Sequence, residues 1–345
     1  MKITTIAIDL AKNVFQVLGM TAQGKKVFNK RLTRPQLAEF MQQQPVCRVV
    51  FEACYSSHYW GRTFESMGHQ VDLIPAQHVT PFVRGNKNDK NDVLAIYEAS
   101  LRPDIRFVPI KTEAQQEILM LHRIRERLIK QRTACTNQIR GLLVDFGIVF
   151  AQGHSAFELA MVELIADQHV RPMVKLMASE TYEEYQQAGI RLKQLNVLLS
   201  QNVEQNPNGR ILLSIPGIGP IIASAFSAAI DKGQAFNSPN EFAVWLGLTP
   251  KQFASGNKSV NGGITKRGDG YLRKQLIHGA RTVVSHADKK NDDLNVWITQ
   301  LRARKSICCT VVATAHRLAR LMWILLQRQT TYQAQFGANQ GAQLC

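Results

Sequence analysis

The sequence predicts an α/β domain followed by an α-helical remainder. Three observations lead there. The first 75 residues alternate strand-like and helix-like apolar patterns, and residues 115–144 repeat apolar positions at three-and-four spacing. From residue 206 onward, short helical segments are punctuated by Pro and Gly. The length of 345 residues suits two or three domains at roughly 100–200 residues each.

Residues 3–9, 13–19 and 25–32 run or alternate apolar, with turn signals at Ala11-Lys12-Asn13 and Thr21-Ala22-Gln23-Gly24. That is the pattern of a three-stranded antiparallel meander. Pro35 opens a helix with Leu37, Phe40 and Met41 on one face, and Cys47 to Phe51 reads as a buried fourth strand. Residues 57–67 form a helix, and Gln70 to Ile74 the strand that completes a βαβ unit. A meander followed by alternating α and β is the order of an RNase H-like fold, with the first strand in the middle of the sheet. This domain is expected to span residues 1–110.

Residues 111–205 predict a long helical, coiled-coil-like hairpin. Leu121, Ile124, Leu128, Cys135, Ile139 and Leu142 form its apolar seam, and Arg123, Arg127 and Lys130 are among the basic residues between them. A second stretch, 155–203, returns antiparallel, with interruptions expected at Pro172 and Gly189. The hairpin is either a spacer or an arm that dimerises or clamps nucleic acid. Residues 206–330 form a C-terminal helical domain, and 331–345 a polar tail. Within the former, Ile215-Pro216-Gly217-Ile218-Gly219-Pro220 precedes the apolar segment Ile221 to Ile230. This looks like a helix-hairpin-helix motif, in which the amides of Gly217 and Gly219 and the helix N-terminus hold a DNA phosphate. The plainer reading is a Gly-rich turn.

The formal net charge of +16 calls for a polyanionic partner, most economically nucleic acid. Six cysteines without C-x-x-C spacing argue against a zinc ribbon and read as reduced thiols. Met1-Lys2-Ile3 leads straight into strand-like sequence, without a signal-peptide pattern. The longest apolar stretch, Ile307 to Leu326, is broken by His316, Arg317 and Arg320, as in a buried amphipathic helix. A soluble, cytoplasmic protein with no membrane partner is expected.

Four carboxylates stand out against this basic background: Asp9 after Ile6 and Ile8, Glu52 closing Val49-Val50-Phe51, and Asp89 with Asp92 at the start of a helix. An ionised carboxylate on a buried strand costs several kcal/mol unless paired or coordinated. Each acid alone has an ordinary explanation, as an exposed strand end or a helix cap. Together, two strand-borne acids and a helical i,i+3 pair suit a hard cation with oxygen ligands, Mg²⁺ or Mn²⁺, acting in phosphoryl transfer. Lys87 and Lys90 flank the pair and either contact phosphates or are solvated.

A second chemical region runs from Gly247 to Lys274. Its glycines permit close backbone approach to phosphate, and Lys258, Lys266, Arg267, Arg273 and Lys274 supply counter-charge. The G-x-x-x-x-G-K-[ST] spacing is absent, which disfavours nucleotide hydrolysis. By composition alone Ser255 is a turn residue before Gly256.

These motifs, in this order, resemble one family. Ile8-Asp9-Leu10-Ala11-Lys12, Phe51-Glu52-Ala53-Cys54, Asn86 through Asp92, Ile215 through Gly219, and Gly247 through Arg273 are similar to the DEDD transposases of bacterial insertion sequences, and more narrowly to the insertion-sequence-110 family, related to Piv-type DNA invertases. The resemblance implies a RuvC-like DEDD domain with metal ligands Asp9, Glu52, Asp89 and Asp92. It also implies a C-terminal transposase domain whose catalytic serine maps to Ser255, with Ser259 as the fallback. It further implies serine-mediated cleavage and rejoining of DNA, a structured noncoding RNA that pairs with donor and target DNA, and assembly into dimers or tetramers. If the two domains meet, the acidic site can activate the serine. The competing expectations are a RuvC-like structure-specific nuclease without a covalent serine step, and a non-catalytic nucleic-acid-binding protein.

Overall fold

The computed structural model describes residues 2–84, 88–255 and 258–334. The chain divides into two compact units, residues 1–114 and 115–345.

In the first unit, β1 (Thr5–Asp9), β2 (Val14–Met20) and β3 (Lys26–Thr33) form the antiparallel meander. After α1 (Arg34–Gln42), β4 (Arg48–Glu52) pairs parallel with β1. Helix α2 (Ser57–Ser66) then leads to β5 (Gln70–Ile74), parallel to β4. The sheet order is β3-β2-β1-β4-β5, with β1 central as the element order predicts. Strand alternation splits the core into two layers. Ile6, Ile8, Val49 and Phe51 pack beneath Leu37 and Met41 of α1 and Trp60 and Phe64 of α2. Ala7, Leu18 and Val50 face the other way, under α4 (Asp89–Ser100), which follows the one-turn α3 (Ala76–Val79). Val93, Ile96 and Tyr97 are the α4 residues that cover this layer.

The second unit begins with the long α5 (Glu113–Leu143), followed by α6 (His154–Ala166) and α7 (Pro172–Gln205). Contacts Arg125 to Asn196, Arg132 to Tyr185 and Cys135 to Glu184 show that α7 runs back antiparallel along α5. The helical stretch 155–203 is two helices, with the interruption expected at Pro172 present. Pro172 marks the break because it fits the first turn of α7, where no backbone N–H is needed. Gly189 does not interrupt α7, whose packing outweighs the modest cost of one glycine. The seam is also narrower than the spacing suggests. Leu128, Cys135 and Ile139 are buried, whereas Leu142 is exposed. Phe157 and Met161 of α6 close the far end against Tyr185.

Helices α8 (Pro207–Leu213), α9 (Pro220–Ile230), α10 (Pro239–Trp245), α11 (Gly270–Ser285), α12 (Asp293–Arg302) and α13 (Ile307–Arg328) build one core, interrupted by a two-stranded ribbon, β6 (Pro250–Ser255) and β7 (Lys258–Ile264). Among the described residues α13 alone is long and apolar enough to cross a membrane. Its Ala315, Leu318, Met322 and Leu325 lie fully inside this core. Tyr332 packs against the same core, so the polar tail begins beyond it. Residues 335–345 lie outside the described residues.

Candidate active site and nucleic-acid interface

Asp9 and Glu52 each follow the paired residues Ile8 and Phe51 on adjacent parallel strands. Alternation therefore carries both side chains to the face of Ala7 and Val50, the face covered by α4. The direction of α4 is fixed at its other end. Arg48, which opens β4, donates from Nη2 to the Ser100 carbonyl at 3.1 Å and from Nε to Asp72 at 2.7 Å. Helix α4 thus runs back along the sheet. Its 12 residues span about 18 Å at 1.5 Å each, and the five of β4 about 16 Å, so Asp89 and Asp92 lie toward the strand ends that carry Asp9 and Glu52.

The helix cap is a third residue. Asn88 accepts a hydrogen bond from the Asn91 N–H at 3.0 Å, so neither Asp89 nor Asp92 is needed to cap α4. Asp89 is ion-paired with Arg31 of β3. Arg31 pairs with Gln16, which pairs with Asp9, in one row across three strands. Gln16 is 3% exposed, and among the described residues its Oε1 has no hydrogen-bond partner. The Cys54 thiol registers the strand-end charge directly. Its pKa rises to about 11, first through burial, then through the charges of Glu52 and Asp9. Two carboxylates acting on one thiol, with two more at the facing helix start, are the all-oxygen donor set that a hard divalent cation prefers. Among the described residues no three His, Cys, Asp or Glu side chains are gathered closely enough to hold a metal ion. The fold brings the four acids to one end of one sheet face without closing them on a common centre.

Of the flanking lysines, Lys90 is exposed on the first turn of α4, and Lys87 lies outside the described residues. Arg123, Arg127 and Lys130 are exposed on α5 at i, i+4 and i+7, which makes one basic stripe opposite the buried Leu128 and Cys135.

Ser255 ends β6 and is exposed, its Cα in register with Lys258. The register separates the two candidate serines. Ser259 pairs with Ala254, so its side chain points to the face opposite Ser255. There its hydroxyl accepts from Gln252 Nε2 at 3.1 Å. Gly256 and Asn257 lie outside the described residues.

At the foot of the ribbon, backbones approach so closely that only glycine fits. A Cβ on Gly268 would lie 1.8 Å from the Trp245 carbonyl oxygen, and one on Gly247 would lie 2.2 Å from that of Arg267. Arg273 clamps the same turn, donating to the carbonyls of Leu246 at 3.1 Å and Arg267 at 3.0 Å. Lys274 pairs with Glu126 at 2.7 Å, a contact that holds the Glu126 carboxyl below its usual range. Arg273 and Lys274 thus have partners within the fold, while Lys266 and Arg267 are exposed. The Gly217 turn has φ +81° and lies against Gly279 of α11, where a Cβ would meet the Gly279 carbonyl oxygen at 2.7 Å. Gly219 is the N-cap residue of α9, and a Cβ there would meet open space.

One buried polar cluster has no local signal in the sequence. His122 of α5 is 2% exposed, with Nδ1 at 2.8 Å from the Tyr271 hydroxyl and Nε2 at 3.1 Å from that of Ser224. Burial, then the Arg125 charge, lowers its pKa to about 4, so the ring is neutral and ties α5 to α9 and α11.

Two stretches of the chain match models of known families. Residues 6–148 match the DEDD-type IS110 family described as Transposase. Residues 209–294 match the family described as Transposase IS116/IS110/IS902 family. The chain is 40% identical over 335 residues to a probable family 20 transposase of Pseudomonas aeruginosa, covering 96% of this chain and 99% of that one. It is 37% identical over 332 residues to the transposase for insertion sequence element IS1111A of Coxiella burnetii, covering 96% and 91%. It is 33% identical over 332 residues to the transposase for element IS1328 of Yersinia enterocolitica, covering 96% and 98%. The chain belongs to the IS110 family of transposases, enzymes of insertion elements that cut and rejoin DNA.

Proposed function

We propose that this transposase works through two chemical centres, a divalent-metal site on Asp9, Glu52, Asp89 and Asp92 and a nucleophilic serine, Ser255. The observation that carries the first is the shared face and shared end of Asp9 and Glu52. The second is supported by the exposed end of β6 and by the ribbon register, which turns Ser259 away into a hydrogen bond with Gln252. A bound Mg²⁺ or Mn²⁺ would place positive charge against the phosphate oxygens as negative charge builds on them. Ser255 Oγ forms a bond to the phosphorus of one DNA phosphodiester and gives up its proton, and the bond to one deoxyribose oxygen breaks. The leaving oxygen takes up a proton, and the strand stays joined to the protein as a phosphoserine ester. Attack by a DNA hydroxyl on that ester rejoins the strand and returns the proton to the serine.

Lys90, Lys266 and Arg267, with the α5 stripe of Arg123, Arg127 and Lys130, hold phosphate backbone by charge without reading bases. Lys87 and Lys258 add positive charge in the sequence beside these residues, and the turn of Gly217 and Gly219 offers backbone amides to phosphate. A noncoding guide RNA then specifies donor and target by base pairing, and a dimer or tetramer carries the strands. The family resemblance supports both.

The test combines purified protein, Mg²⁺, element-end RNA and paired donor and target DNA. Wild type is expected to give recombinant product and a detergent-stable protein–DNA adduct. Asp9→Asn loses both, Ser255→Ala loses the adduct, and Ser259→Ala keeps it. Strand cleavage that survives Ser255→Ala would replace this reading with a metal-only nuclease.

A further inference from the structure

The ribbon carries a feature that neither centre uses. Phe253 and Val260 are paired across β6 and β7, and each is 64% exposed. A two-stranded ribbon has no core of its own, so an aromatic–aliphatic pair at its middle leaves apolar surface in water. The ring leans over Gly262, diagonal to it, where a Cβ would lie 3.3 Å from Phe253 Cε2. Alternation puts Phe253 on the same face as Ser255, about 7 Å along the strand, roughly two nucleotide steps.

The chemistry around this pair selects the partner. From Phe242 to Gly268 the chain has no Asp or Glu, and it has Lys251, Lys258, Lys266 and Arg267. An exposed aromatic ring in an acid-free, basic ribbon matches a nucleobase flanked by phosphates better than an apolar protein surface or a second copy of the same cationic ribbon. The width of a two-stranded ribbon also fits a DNA groove.

We propose that Phe253, backed by Val260, stacks on an unstacked base one or two nucleotides from the phosphate attacked by Ser255. This rests on the reading of Ser255 as the nucleophile. The ribbon would thus position the strand as well as hold it, and Phe253 is a recognition residue of the reaction.

The test places 2-aminopurine at each position around the cleavage point of element-end DNA and follows its fluorescence on binding full-length protein. One or two positions are expected to change at least severalfold. Ser255→Ala should retain that change, which separates failure of the nucleophile reading from failure of this one. Phe253→Trp should preserve it, and Phe253→Ala should abolish it and weaken binding roughly tenfold to a hundredfold. Because Phe253 is exposed, Phe253→Ala should leave the thermal midpoint unchanged. The slope of affinity against salt should also stay the same in Phe253→Ala, whereas Lys251→Ala lowers it by about one. Fluorescence and affinity unchanged by Phe253→Ala would overturn the proposal. So would a smaller oligomer with unchanged fluorescence, which would assign this face to self-association.

Discussion

Arg31 of β3 is ion-paired with Asp89, the first residue of α4, and stands in the same cross-strand row as Gln16 and Asp9. Both partners are more than half exposed, so the pair adds little to stability. Its consequence is chemical: a fixed guanidinium holds one of the four proposed metal ligands over β3, two strands from Asp9. Arg31→Gln removes that competitor. Divalent-cation affinity, read by Mn²⁺ paramagnetic resonance or calorimetry, is expected to rise about threefold, with a change in folding stability within about 0.5 kcal/mol. Unchanged or weaker binding would show that Asp89 does not join the ion.

Cys54 provides a reporter for the strand-end acids. Its pKa of about 11 includes the repulsion of Glu52 and Asp9 on the thiolate, so removing either charge lowers it. Glu52→Gln and Asp9→Asn should therefore speed alkylation of Cys54 at pH 9, followed by peptide mass spectrometry to separate it from the exposed Cys308 and Cys309. Mg²⁺ should accelerate the wild-type reaction in the same direction by neutralising the carboxylates. It should have little effect in Asp9→Asn. A wild-type rate indifferent to Mg²⁺ would count against a cation at these residues.

Arg273 and Arg127 should separate bracing from binding. Arg273 holds the carbonyls of Leu246 and Arg267 at the foot of the ribbon, and Arg273→Ala is expected to cost about 1–3 kcal/mol of stability. Exposed Arg127 should cost almost none. Arg127→Ala should instead weaken DNA or RNA binding and lower its salt slope by about one, measured by filter binding across a salt series. A large salt-slope change in Arg273→Ala at unchanged stability would reverse these assignments.

What the sequence made legible follows the physics of each element. The central β1 and the strand-end positions of Asp9 and Glu52 came through because two-residue alternation is written locally in Ile6, Ile8, Val49 and Phe51. The ribbon did not. Lys251 to Ser259 lacks an alternating apolar pattern, since both of its faces meet solvent. The Asn88 cap was hidden by two neighbouring aspartates that could have served as well. Arg273 stands among basic residues in the sequence, with no local sign of the two backbone carbonyls it clamps. Its partner Leu246 lies 27 residues away. No local pattern could have shown that the partners of His122 are Ser224 and Tyr271, 102 and 149 residues away.

His122 should make the stability of this unit depend on pH in a predictable direction. Its folded pKa of about 4 lies below the ordinary histidine value of 6.5 that applies in the unfolded chain, so between those values the unfolded state binds the extra proton. Stability from this group is therefore complete above pH 6.5 and is lost as pH falls toward 4, where on the order of 3 kcal/mol has gone. Thermal midpoints taken from pH 7.5 to 5 should fall in wild type more steeply than in His122→Gln. Glutamine has no proton to gain, and its amide can still meet the hydroxyls of Tyr271 and Ser224. Equal slopes in the two proteins would mean that the buried imidazole is already charged at neutral pH or opens to water before the unit unfolds.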